Sequence, residues 1–189
     1  MNKRDKTVGV SLNFAKSFTK SCPRWVTIAC VMILAACTGV PEGVEPVSGF
    51  DKSRYLGTWY EIARLDHSFE RGLVDVTAEY RVNEDGSIRV LNSGMDENSG
   101  ERRVAEGRAV FVGEEDLAHL KVSFFGPFFA SYIVFELDPD YRYAYVSGFN
   151  KDYLWLLARD PKVSDEIRED FVESAVALGF NTENLIWRE

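Results

Sequence analysis

Eight short runs of β-favouring residues, each closed by a turn signal, constrain this chain more than any other feature. They are Trp59–Leu65, Val74–Val82, Ile88–Asn92, Arg103–Val112, Leu120–Phe124, Ser131–Leu137, Tyr143–Phe149 and Tyr153–Ala158. Turn-forming stretches separate them, with Asp85-Gly86 and Asp138-Pro139 the strongest pairs. Short strands at near-regular spacing predict an all-β barrel or sandwich. In Ser131–Leu137, Ile133, Phe135 and Leu137 alternate with Tyr132, Val134 and Glu136, and both faces are largely apolar. Such a strand packs on one side and lines something apolar on the other. In an eight-stranded up-and-down barrel that second surface is a ligand cavity.

One helix is expected after the strands. Asp160-Pro161 stops the last run, Ser164 is placed to cap, and Asp165 and Glu166 put acid in the first turn. Ile167, Phe171, Ala175 and Leu178 form a stripe at helical spacing, and Gly179 ends it. Asn184 to Arg188 can add a short edge strand.

The first 36 residues read as a leader. A basic region (Lys3, Arg4, Lys6, Lys16, Lys20, Arg24) precedes an apolar run, Trp25–Ala36, interrupted only by Thr27. The run is 12 residues long, whereas a spanning helix needs about 20. It ends in Leu34-Ala-Ala-Cys37, which resembles the lipobox of bacterial lipoproteins. That resemblance implies cleavage before Cys37 and acylation of Cys37, giving residues 37–49 the role of lipidated end and tether before a domain at 50–189. Several acyl chains make a firm anchor. Thr38 is not the Asp of inner-membrane retention, so the resemblance implies sorting to the outer membrane, facing the periplasm.

Removing a leader with six basic and one acidic residue from a chain holding 22 and 30 leaves 16 and 29, a net charge of −13. That disfavours nucleic acid and anionic lipid surfaces. Cys22 and Cys30 leave with the leader and Cys37 takes lipid, so neither a disulfide nor a free thiol is expected.

The segment Arg54-Tyr-Leu-Gly-Thr-Trp-Tyr-Glu-Ile-Ala-Arg64 carries Gly57-x-Trp59 into the first strand, and Arg159 follows the last one. Together they resemble the lipocalin family. The longer wording from Arg54 to Gly72, with Leu120–Phe129 and Asp152–Leu157, is similar to its bacterial outer-membrane lipoprotein branch. The resemblance implies an eight-stranded antiparallel up-and-down barrel with one amphipathic helix on its wall. It implies that Trp59 plugs the closed end and that Arg159 covers its indole. It also implies a ligand such as a fatty acid or lysophospholipid, carried or stored for membrane maintenance or envelope stress.

Wall or lip residues expected on the strands are Glu61, Tyr80, Tyr132, Phe135, Tyr145 and Trp155, with Phe125 and Phe128 at the mouth. Phasing inward from Trp59 also turns Glu61 and Ala63 inward, which puts a carboxylate inside an apolar cup. Four Phe around Gly126-Pro127 cannot all point inward from one turn, so the mouth can also serve a membrane or a homodimer. His67 and His119 are the only histidines. No metal-ligand spacing accompanies them and no cofactor is expected; His67 reads as a solvated loop residue. Nothing in the motifs supports catalysis. An interaction protein using the Phe-rich mouth, or a lipid or isoprenoid enzyme on the same barrel, are the alternatives.

Overall fold

The computed structural model describes residues 38–189; the leader and Cys37 lie outside the described residues. A four-residue helix α1 (Lys52–Tyr55) leads into β1 (Gly57–Arg64), β2 (Leu73–Val82), β3 (Ile88–Asp96) and β4 (Arg102–Phe111). Then come β5 (His119–Phe125), β6 (Phe128–Leu137), β7 (Tyr143–Ser147) and β8 (Leu154–Ala158). The helix α2 (Asp165–Ala177) and a two-residue strand β9 (Ile186–Trp187) complete the chain. Each of β2 to β8 pairs antiparallel with its sequence neighbour, and β1 pairs with both β8 and β2. The sheet therefore closes into an eight-stranded barrel, which leaves no long edge open. β9 adds to the upper end of β1, against Ala63 and Arg64.

Two apolar clusters hold this closure. The inner one gathers Trp59, Tyr80, Val90, Leu120, Val134, Val146 and Leu157 inside the barrel. The outer one lies between the wall and α2, where Ile62, Ile133, Tyr145, Leu154 and Leu156 meet Phe171 and Ala175. Ile167 and Leu178 of the predicted helical stripe pack at its margins. Ser164 stands at the N-cap of α2, but its side chain makes no capping bond.

Residues 41–49 are laid against the barrel. Val44 is buried in the outer cluster, and Pro41 is buried as well. Val47 donates its N–H to the Val134 carbonyl at 2.9 Å and accepts from Ala118 at 2.9 Å. Here the sequence suggested a tether, but the two valines bury apolar surface that the wall leaves open. The sheet closure and both clusters lie within residues 44–189, so residues 38–189 carry their own core and fold as a unit.

Two bulges set which side chains reach the interior. In β1 the register shifts between Glu61 and Ala63. In β6 it shifts between Val134 and Glu136. A bulge inserts one residue and reverses the phase beyond it. Glu61 thus stays with Trp59 inside, while Ile62 and Ala63 both join the outer cluster. The expected inward Ala63 is corrected by that bulge.

Candidate functional site

The strand directions put one end of the barrel under α1 and leave the other open. At the closed end Gly57 adopts φ +95°, and a Cβ there would lie 3.4 Å from Arg159 Nη1. A side chain at position 57 would be strained in that backbone region and would crowd the guanidinium. Arg159 sits 4.0 Å over the Trp59 ring and donates to the carbonyls of Arg54, Leu56 and Thr58 at 2.7, 2.9 and 2.9 Å. Trp59 Nε1 donates to the Tyr55 carbonyl at 2.8 Å. Indole, guanidinium and α1 together seal the floor.

Above this floor lies a cavity of about 360 Å³, within the range that takes a small amphipathic ligand. Val76, Ala78, Val90, Val122, Ala130 and Leu157 form its middle wall. Deeper down, the Tyr132 hydroxyl is bridged to Tyr55 at 2.7 Å and to Tyr80 at 3.0 Å. Burial pushes all three phenols upward. They remain neutral hydroxyls at the base of the cup.

The mouth is aromatic. Phe69, Phe125 and Phe128 line it with 59%, 74% and 70% of their surfaces exposed. Phe124, Phe129, Phe149 and Tyr153 continue the ring. Phe125 and Phe128 flank the β5–β6 turn, where the Gly126–Pro127 peptide is cis.

The loop after β1 folds into this end. Arg64 binds Glu61 Oε1 at 2.5 Å and donates to the carbonyls of Glu70 and Leu73 at 3.1 and 2.9 Å. That pins the loop and turns His67 and Glu70 toward the cavity. His67 is only 5% exposed, packed between Phe69, Tyr153 and Trp155. The expected solvated His67 is corrected: the pinned loop buries it. Its Nε2 stands 3.0 Å from Glu70 Oε2, off the alignment of a hydrogen bond. Trp155 Nε1 donates to the same Glu70 oxygen at 3.1 Å. Burial raises Glu61 well above the usual carboxylate range, and the charge of Glu70 adds to this. Burial pushes Glu70 upward too, but His67 and the Trp155 N–H outweigh it and hold Glu70 below its ordinary value.

Of the wall residues expected from sequence, Glu61, Tyr80, Phe125, Phe128, Tyr132 and Trp155 line the cavity. Phe135 and Tyr145 do not. Both belong to the outer cluster, where Phe135 stacks on Phe180 and Tyr145 meets Phe171 edge-on. The Tyr145 hydroxyl donates to Asp170 at 2.7 Å. Phe135 shares the outward face of Ile133, opposite in phase to the inward Tyr132 and Val134, and Tyr145 shares that of Tyr143 and of its β8 partner Leu156. His67, Phe69, Glu70 and Asn92 are cavity residues that periodicity did not find. For His67, Phe69 and Glu70 the only signal was the wording Leu65 to Gly72, which has no strand alternation to phase it; Asn92 shares the inward alternation of Ile88 and Val90 on β3.

The model of the lipocalin-like domain matches residues 50–189. The chain belongs to the lipocalin family. This lipocalin is 56% identical over 161 residues to the outer membrane lipoprotein Blc of Vibrio cholerae serotype O1, covering 85% of this chain and 94% of that one. It is 47% identical over 161 residues to the protein of the same name from Escherichia coli K12, covering 85% and 91%. Among solved structures, insecticyanin from the tobacco hornworm Manduca sexta superposes with a TM-score of 0.64 at 21% identity, covering 80% of this lipocalin and 86% of insecticyanin. That likeness is one of fold.

Proposed function

We propose that this lipocalin is an outer-membrane lipoprotein, attached through acylated Cys37 and facing the periplasm, that binds and stores or transports a single-chain lipid such as a fatty acid or lysophospholipid. It is read as a carrier for membrane maintenance, not as an enzyme. The relatives named outer membrane lipoprotein Blc support the anchorage. The apolar cavity beneath an open aromatic mouth supports the cargo. Burying a sixteen-carbon chain removes about 10 kcal/mol of water contact at ~0.8 kcal/mol per CH₂. Ordering costs take back part of that, which leaves micromolar affinity. Trp155 lines the cavity, so its fluorescence reports occupancy. Lipid-stripped residues 38–189 titrated with palmitate and lysophosphatidylethanolamine should saturate at one site per barrel. Silence from both would refute the reading.

A second reading uses the mouth as a contact between two copies. The exposure of Phe69, Phe125 and Phe128 favours it. Sedimentation of residues 38–189 should then show a dimer that F125S/F128S abolishes, and a wild-type monomer would remove this reading.

A further inference from the structure

The path of the chain before β1 decides which end of the barrel an anchor at Cys37 can hold. At Phe50 the chain is at the closed end. There the Phe50 N–H donates to the Asp116 carbonyl at 2.8 Å, and Ser48 pairs with Leu117 in the β4–β5 turn. Traced backwards, it climbs the wall past Val47 to Val44 and Gly43. A Cβ on Gly43 would lie 3.8 Å from Leu178 Cδ2, at the C-terminal end of α2. The residue after Leu178, Gly179, stands beside the β7–β8 turn, where a Cβ would lie 3.3 Å from Lys151 Nζ. That turn also carries Phe149 and Tyr153 of the aromatic mouth. The described chain thus leaves the barrel near its open end.

Connectivity bounds the rest. The Val44 N–H donates to the Pro41 carbonyl at 3.1 Å, which folds the buried Pro41 back beside Val44. Cys37 precedes Pro41 by four residues, a reach of at most about 14 Å. The helix α2, 13 residues long, measures about 20 Å. An anchor on Cys37 therefore cannot return to the closed end. It holds the membrane either at the mouth or along α2. The outward side of α2 is acidic, with Asp165, Glu166, Glu169, Asp170 and Glu173 exposed, and phosphate head groups repel such a face. The mouth differs. Phe69, Phe125 and Phe128 stand exposed around it, and Asp66 and Arg71 of the β1–β2 loop neutralise each other at 2.9 Å. Glu97 and Glu101 are exposed on the β3–β4 loop at the same end, which selects a zwitterionic surface over an anionic one.

We propose that the open end of the barrel docks on a zwitterionic lipid layer. Phe69, Phe125 and Phe128 seat among the head groups, and the cavity opens directly into the leaflet that holds the anchor. A tether on this side makes docking intramolecular, so the three rings need not hold the protein alone. The proposal rests on the Cys37 anchor of the carrier reading for its orientation and adds the route by which cargo enters.

The test reads which end touches lipid. Cys37 is the only cysteine of residues 37–189, so its thiol can be coupled to a maleimide-headed lipid in phosphatidylcholine vesicles, independently of natural acylation. A Trp reporter is placed at the mouth by Phe125→Trp or near the closed end by Val112→Trp, both at exposed positions. Quenching by brominated phosphatidylcholine is measured against the wild-type chain, which supplies the native Trp signal. Phe125→Trp should shift to the blue and be quenched, and Val112→Trp should gain no quenching. Adding Phe69→Ser and Phe128→Ser to Phe125→Trp should lower the docked-to-undocked ratio at least about thirtyfold. Quenching at Val112→Trp as strong as at Phe125→Trp overturns the orientation. Absence of quenching at both sites overturns the docking, and saturable palmitate binding would then leave the carrier reading standing. A blue shift of Phe125→Trp that follows protein density without quenching reports contact between two copies and also overturns it. Quenching at Phe125→Trp with no palmitate binding supports the docking and removes the carrier reading instead.

Discussion

Replacing Arg159 by Ala should unfold the cup without changing what the cup prefers. The guanidinium donates to three carbonyls on the approach to and start of β1, those of Arg54, Leu56 and Thr58, and covers the Trp59 ring at 4.0 Å. A charge-assisted bond is worth about 1.5–3 kcal/mol when its acceptor is left dry. Arg159 is half-exposed, so water repairs part of each loss, and about 1 kcal/mol per carbonyl is a fair value. The cation–π contact adds about 1 kcal/mol. The expected loss is about 4 kcal/mol, which lowers the urea midpoint of residues 38–189 by about 2 M for a slope near 2 kcal/mol/M. Arg159→Lys keeps the charge but cannot span three acceptors and should recover about a third. Lipid affinity of the folded fraction should stay within about twofold, since the cavity begins beyond the Trp59 plug. A loss below about 1 kcal/mol, or a changed ligand order at unchanged stability, would refute the reasoning.

Two further outcomes are expected. Asp138 is buried and receives Arg142 through both the side chain and the backbone, with the Asp140 N–H beside it. The bonds from Arg142 hold its carboxyl below the usual range. A depressed folded value means that its stabilisation is present above the ordinary carboxylate pKa and is lost as pH falls through the lowered value. Asp138→Ala should cost about 2 kcal/mol at pH 7. The gap to wild type in urea titrations should shrink steadily below about pH 4, and a gap constant with pH would contradict this. Phe171→Ala should cost about 3–5 kcal/mol by opening a hole between α2 and the wall. It should leave lipid affinity unchanged in fluorescence titration, because Phe171 stands on the far side of the barrel wall.

The eight strands and the amphipathic helix were legible because they follow from local chemistry, whereas the closing order was legible only through the family resemblance. β-Branched and aromatic runs, turn pairs such as Asp85-Gly86 and the 3.6-residue stripe of α2 act within a few residues of themselves. Trp59 and Arg159 were legible through the family wording, not through spacing, since nothing local joins positions 100 residues apart. Tyr80, Tyr132 and Trp155 were phased correctly because no bulge intervenes between them and the ladder they pair in.

Tertiary structure decided the rest. A bulge is one residue of slack, invisible in composition, and it turned Ala63 outward. Phe135 and Tyr145 lie under α2 by plain alternation, on the faces of Ile133 and Tyr143. Whether an apolar strand face meets the cavity or the helix depends on where α2 docks, which the strand's own pattern does not encode. His67 and Glu70 sit in a loop with no periodicity, and only Arg64, reaching across to the Glu70 and Leu73 carbonyls, brings them into the cavity. The sequence by itself determined a closed barrel with an apolar interior. Only the folded chain decided which polar atoms that interior presents, because burial and proximity between distant residues set both their protonation and their missing partners.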